Sequence, residues 1–298
     1  MISDTELQKR IDAAYGLLES CRVCPRECGV DRLKNDKLGF CRSGLNPVIS
    51  SVSPHYGEEP PLSGTKGSGT VFFTNCNLRC VYCQNYPISQ LGNGEERSPG
   101  ELACQMLWLQ EQGCHNLNLV TPTHFVPQIL KAIGIAMQRG FILPIVYNTS
   151  GYESLETLRL LDGIVDIYLP DMRYSDNAAA MKYSIAPDYP EINCAAIKEM
   201  YRQVGNLVLD EQGIAKQGLI IRHLVLPGNI AGTEEVMKFL AGEISKDVTI
   251  SLMSQYFPAY RAREFNEINR RITTEEYEKA YQIMLKYGLE NGWIQNLD

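Results

Sequence analysis

From residue 69 onward, short apolar runs alternate with longer stretches of helical period. The apolar runs GTVFFTN (69–75), NLNLVT (116–121), LPIVYN (143–148), IVDIYLP (164–170), GLIIRHLVLP (218–227) and DVTISLMS (247–254) predict six strands. Between and after them, helices are expected near 99–112, 125–139, 153–161, 175–205 (broken), 233–244 and 274–291. Ser98, Pro99 and Glu101 form a capping box before the first of these, and Thr273 with Glu276 repeats the device before the last. Leu7, Ile11, Ala14, Tyr15 and Leu18 lie at helical spacing and predict a short amphipathic helix within residues 1–20. From 21 to 69 the chain is rich in Cys, Gly, Pro and Ser and predicts loops. The expected division is a helix and Cys-rich extension over 1–69, then an α/β domain over 70–298.

Six strand–helix units in strict alternation predict a parallel sheet with helices outside it, and strands apolar on both faces fit burial on both sides. A doubly wound sheet and a curved partial barrel share this pattern. In either, chemistry belongs at the C-terminal ends of the strands.

Composition narrows the class of partner. The chain has 298 residues, 44% hydrophobic and 21% charged, which suits a soluble globular protein. With 28 Lys and Arg against 35 Asp and Glu, the formal charge is -7, which disfavours nucleic acid and anionic membranes as partners. No run approaches the roughly 20 apolar residues of a membrane span, and MISDTELQKR lacks the apolar core of a secretion signal. A cytoplasmic location is expected.

Seven of the ten cysteines fall in two groups, which in a reducing compartment suggests metal ligation or redox work. Cys104, Cys114 and Cys194 stand apart and read as small buried thiols. Cys76, Cys80 and Cys83, in CNLRCVYC, directly follow the first predicted strand. Structural zinc wants four ligands. A [4Fe–4S] cluster on three thiolates instead leaves one iron open to a small molecule.

This spacing, with Tyr82 before the last cysteine, resembles the radical S-adenosylmethionine (SAM) superfamily. The longer string PHYGEEPPLSGTKGSGTVFFTNCNLRCVYCQNYPIS is similar to its branch related to pyruvate formate-lyase activating enzymes. The resemblance implies a partial (β/α)6 TIM-like barrel, a [4Fe–4S] cluster on Cys76, Cys80 and Cys83, and SAM as cofactor. It also implies reductive cleavage of SAM to a 5′-deoxyadenosyl radical that abstracts hydrogen, with an electron donor such as flavodoxin or ferredoxin.

The same resemblance nominates cofactor contacts. Tyr82 fills the aromatic place of the motif. Where relatives often carry Gly-Gly-Glu, this chain reads Thr121-Pro122-Thr123-His124, so Thr121 and Thr123 are candidates. Asn148 and Ser150 match the stretch after the third strand, and Asp171 matches an Asp-Leu-Lys stretch, with Arg173 in place of the lysine. Arg222 and His223 are adjacent, so one of them is expected to face the lumen, and Arg222 suits a carboxylate or a structural ion pair. Gln255 and Tyr256 are candidates to close the pocket. His124 is open between ligand-facing and structural roles, and His115 reads as structural. Glu58 and Glu59 in GEEPPL read as a solvated turn, with an inward-facing role as the alternative.

Cys21, Cys24, Cys28 and Cys41 supply four thiolates within 21 residues. They suit zinc, which would fold the loop, or a second fully ligated Fe–S cluster. The expected function is a radical SAM oxidoreductase acting on a glycine of a glycyl-radical enzyme, or else on a small molecule or peptide. A different class, a non-catalytic Fe–S electron carrier or zinc-stabilised binding protein, is the third reading.

Overall fold

The structure, a computed structural model, describes residues 2–34 and 38–295. Among these, the strands are β1 (Val48–His55), β2 (Ser68–Phe73), β3 (Glu95–Glu96), β4 (Leu117–Val120), β5 (Ile145–Thr149), β6 (Ile167–Pro170), β7 (Val208–Leu209), β8 (Ala215–Leu224), β9 (Thr249–Met253) and β10 (Gly292–Ile294). The α-helices are α1 (Asp4–Gly16), α2 (Pro60–Ser63), α3 (Tyr86–Ser89), α4 (Pro99–Glu111) and α5 (Val126–Met137). They continue with α6 (Leu155–Leu160), α7 (Asn177–Ser184), α8 (Tyr189–Val204), α9 (Thr233–Phe239) and α10 (Thr274–Lys286).

Along the sheet the order is β10-β9-β8-β6-β5-β4-β2-β1-β3, with β7 paired to β8. From β2 to β10 every neighbouring pair on that path is parallel. The order follows the chain without reversal, so there is no switch point of the doubly wound kind, and the sheet curls as a partial barrel. Two apolar clusters follow from the alternation of side chains. Leu119, Tyr147, Tyr168, Leu219 and Ile221 face the helices within the large core, whereas Val146, Ile167, Leu169 and Ile220 form a separate inner cluster inside the curl.

Both predicted capping boxes form, at Ser98 with Glu101 and at Thr273 with Glu276. The expected break in 175–205 falls between Ser184 and Tyr189, where Ile185 turns with φ 54°. Three expectations are corrected. Residues 21–69 are not all loop, because β1 lies antiparallel on β2 and β3 caps it, covering the edge that β2 would otherwise expose. The last helix stops at Lys286, and β10 continues the parallel sheet. Cys104 is exposed and Cys194 half-buried, so of the three isolated cysteines Cys114 alone is a buried thiol.

The segment after β1 enters the curl. Leu62 of α2 is fully buried in the inner cluster, and its carbonyl accepts a bond from Asn116 Nδ2 at 2.8 Å. This closes the floor of the lumen and sets Glu58 and Glu59 above it.

Candidate active site

The C-terminal ends of the parallel strands surround a cavity of about 620 Å³, a size suited to a cofactor or small ligand. Cys76, Cys80 and Cys83 line it from the loop after β2. Cys76 and Cys80 are buried and Cys83 is half-buried. Each sulfur has a hydrogen-bond partner: Leu78 N–H donates to Cys76 Sγ at 3.3 Å, Ser184 Oγ donates to Cys80 Sγ at 3.0 Å, and Ser89 Oγ lies 3.0 Å from Cys83 Sγ. Burial first, and then repulsion from Cys80 and Cys83, pushes the Cys76 thiol up to about 12. Burial raises the Cys83 thiol as well, so these two ionise more readily beside a compensating positive charge.

Opposite the thiols, a polar chain crosses the strand ends. Asp171, 6% exposed, accepts from Arg222 Nε at 2.9 Å and is also bonded by Arg173. Arg222 Nη2 donates to Asn148 Oδ1 at 2.7 Å, and Asn148 Nδ2 donates to Glu58 Oε2 at 3.4 Å. Burial raises the Glu58 carboxyl, while the Arg222 charge opposes that rise. Glu59 also lines the cavity, and its Oε2 is buried without a hydrogen-bond partner. The solvated-turn expectation for this pair is therefore corrected. Burial of Leu62 beneath them, two positions beyond the Pro60 that opens α2, is what turns them inward.

Thr121, Ser150, Asn148, Asp171 and Arg222 line the cavity with the three thiols. Thr121 holds φ 59°, a left-handed conformation that costs a β-branched residue on the order of 1 kcal/mol or more. Its N–H donates to Asn148 O at 2.9 Å. Ser150 Oγ is buried and unpartnered. At Gly151 (φ 74°) a Cβ would fall 2.5 Å from Asp171 O, so the approach of β5 to β6 requires glycine there. Tyr189 OH, from α8, donates to Ser150 O at 2.8 Å and to Asp171 O at 3.0 Å, fastening the two strand ends.

Two of the nominated cofactor contacts do not reach the cavity lining. Thr123 Oγ1 turns into the wall and donates to Glu153 at 2.5 Å. Tyr82 lies behind the loop, 3% exposed, with its hydroxyl 2.6 Å from that of Tyr174. His223 is buried, with Nδ1 2.8 Å from Met172 O, so Arg222 is the lumen-facing member of that pair. His124 is structural, with Nε2 2.8 Å from Thr74 O, and burial pulls it down to about 3. Gln255 lines the cavity, whereas Tyr256 is buried outside it with its hydroxyl on Ile268 O. Glu153 was not singled out from the sequence. It is fully enclosed, accepts from Thr123, Thr149 and Tyr147, and is pushed up to about 7 by burial.

Cys21, Cys24 and Cys41 are buried and Cys28 is half-buried. Burial first, and then the charges of Cys41, Cys21 and Cys28, raises the Cys24 thiol. Their loop is tied to the loop of the other thiols. Arg26 Nε donates to Asn77 O at 2.8 Å, and Phe40 lies beneath the guanidinium groups of both Arg26 and Arg79. Among the described residues, no three or more His, Cys, Asp or Glu stand in an arrangement that could hold a metal ion.

A family model for the radical SAM superfamily matches residues 70–181, from β2 into α7, and so contains the loop of Cys76, Cys80 and Cys83. The chain belongs to this superfamily. It is 32% identical to an uncharacterized protein of Methanocaldococcus jannaschii over 95% of its own length and 80% of the relative's. Among solved structures it is similar in fold to Streptococcus suis SuiB bound to SAM, with a TM-score of 0.50 at 10% identity over 75% of this chain and 48% of that one. It is equally similar to the FeFe-hydrogenase maturase HydG of Carboxydothermus hydrogenoformans, with a TM-score of 0.50 at 14% identity over 74% and 50%. The chain spans about half the length of those two structures. Membership implies an enzyme with a [4Fe–4S] cluster and SAM. No helix among the described residues is long and apolar enough to cross a membrane.

Proposed function

We propose that residues 70–298 form a barrel in which Cys76, Cys80 and Cys83 hold the cluster and the strand ends bind SAM. When bound, these groups supply one-electron cleavage of SAM and a 5′-deoxyadenosyl radical able to take hydrogen from carbon. The observation that carries this reading is one cavity shared by three thiols and a run of polar groups on facing strands. Thr121, Asn148 and Ser150 offer hydrogen bonds to the cofactor, and the unpartnered Ser150 hydroxyl suits that role. Arg222, held by Asp171, presents fixed positive charge to a carboxylate. The floor formed by Leu62 keeps bulk water from entering beneath. Tyr82 and Thr123 support the wall from behind.

The substrate we infer is a small polar molecule or the side chain of a short peptide. Glu58 and Glu59 favour it, since two carboxylates half-buried in a lumen suit a polar ligand better than a bare glycine Cα. Activation of a glycyl-radical enzyme is the second reading, and the long similar string through Cys83 favours it. Deuterium transfer separates the two: label from a small polar compound should appear in 5′-deoxyadenosine, whereas transfer only from a deuterated glycine in a partner protein selects the second reading.

We further propose residues 1–69 as an extension whose Cys21, Cys24, Cys28 and Cys41 bind a second metal, structural zinc or a second Fe–S cluster. Four thiols within 21 residues of sequence support it. An electron donor such as flavodoxin or ferredoxin is required by the chemistry, and the net charge of -7 points away from nucleic acid and anionic membranes.

A further inference from the structure

A buried chain of hydroxyls ends on the middle sulfur of the cluster loop. Tyr82 OH lies 2.6 Å from Tyr174 OH, Tyr174 OH lies 2.8 Å from Ser184 Oγ, and Ser184 Oγ donates to Cys80 Sγ at 3.0 Å. None of these four residues is more than 5% exposed. Each hydroxyl carries one proton, so committing the last one to sulfur sets the direction of the rest: Tyr174 donates to Ser184, and Tyr82 donates to Tyr174.

Backbone geometry fixes Ser184 at this place. It is the last residue of α7, and the left-handed turn at Ile185 ends the helix. The carbonyls left free there are taken up by the cluster loop: Arg79 N–H donates to Ser184 O at 3.2 Å, and Val81 N–H donates to Tyr183 O at 2.8 Å. These two bonds bracket Cys80, so the helix end and the loop move as one piece. Only at Cys80, among the described residues, do two phenols stand behind the donor to the sulfur.

A hydrogen bond to a ligating sulfur favours the more negative, reduced state of an Fe–S cluster and so raises its potential. In a water-excluded site, upstream hydroxyls polarise the terminal one and strengthen its bond. We propose that the Tyr82–Tyr174–Ser184 chain sets the reduction potential of the cluster that Cys80 helps to hold. Ser184 is then a positioning residue that eases electron entry without touching substrate. The inference rests on the ligand assignment made above. It also gives the aromatic residue of the cysteine motif a second use, as the origin of the chain.

The test is an EPR-monitored redox titration of the anaerobically reconstituted protein, alongside iron content. Ser184→Ala, Tyr174→Phe and Tyr82→Phe should all titrate at more negative potential than wild type, with shifts decreasing in that order. Ser184→Thr, which keeps the hydroxyl, should return most of the shift. If Ser184→Ala takes up no iron, Tyr174→Phe reads the same chain by removing one oxygen from a ring that stays packed. Unchanged potentials in variants with full clusters overturn this inference alone. Absence of any reducible cluster in wild type, or a full cluster retained in Cys80→Ala, overturns the ligand assignment and this inference with it.

Discussion

Asp171 Oδ1 accepts from Arg222 Nε at 2.9 Å, across the join where the short β6–β8 ladder ends and a single bridge between these two residues resumes it. The pair extends the shortest ladder of the parallel strands and also faces the cavity. Its two functions separate on mutation. In Arg222→Met, Asp171 keeps Arg173, so the loss of stability should be about 2 kcal/mol, below the full cost of stranding a buried charge. SAM affinity should fall about tenfold or more with iron content unchanged. Urea unfolding and equilibrium binding of SAM measure the two effects.

Glu153 is expected to make stability depend on pH in the direction opposite to a paired carboxylate. Its carboxyl is raised from 4.5 to about 7, so the folded chain binds the extra proton and its contribution declines as pH rises through that window. Glu153→Gln removes the effect. Between pH 5 and pH 8 the variant should gain about 2.5 kcal/mol relative to wild type in urea unfolding. A constant difference across that range would show that Glu153 is ionised throughout.

Leu62 plugs the lumen from a segment outside the strand–helix series. Leu62→Ala should cost about 3 kcal/mol, and a fall in thermal midpoint measures it. Because Glu58 and Glu59 stand on the same short turn, this variant should also lose turnover of substrate more than cleavage of SAM.

The N-terminal thiols make a separable prediction. Cys24→Ser should remove the metal of the extension, read by elemental analysis, while the absorbance of the cluster on Cys76, Cys80 and Cys83 persists. Loss of both together would mean that the braced loops, joined through Arg26 and Asn77, fold as one unit.

The parallel strands and most of their helices were legible because buried strands and capped helices write their own periods into the chain. β1 was not, since its burial alternates weakly and it lies in a Pro- and Gly-rich stretch. β10 was hidden for another reason: three residues carry no period. The places of Cys76, Cys80 and Cys83 on one cavity could be read from their spacing, those of Asn148 and Asp171 from the family resemblance, and that of Arg222 from its strand. For Glu58 and Glu59 the inward-facing alternative could not be chosen over a solvated turn, and Ser184 gave no signal. Their placement depends on where a plug and a helix end come to rest, which is a tertiary outcome with no local signal.

The most direct measurement is product analysis after anaerobic reconstitution, reduction and addition of SAM. Wild type should yield 5′-deoxyadenosine, and Cys76→Ala, Cys80→Ala and Cys83→Ala should yield none. An intact, reduced cluster that binds SAM at the cavity and yields no 5′-deoxyadenosine would contradict the proposed chemistry.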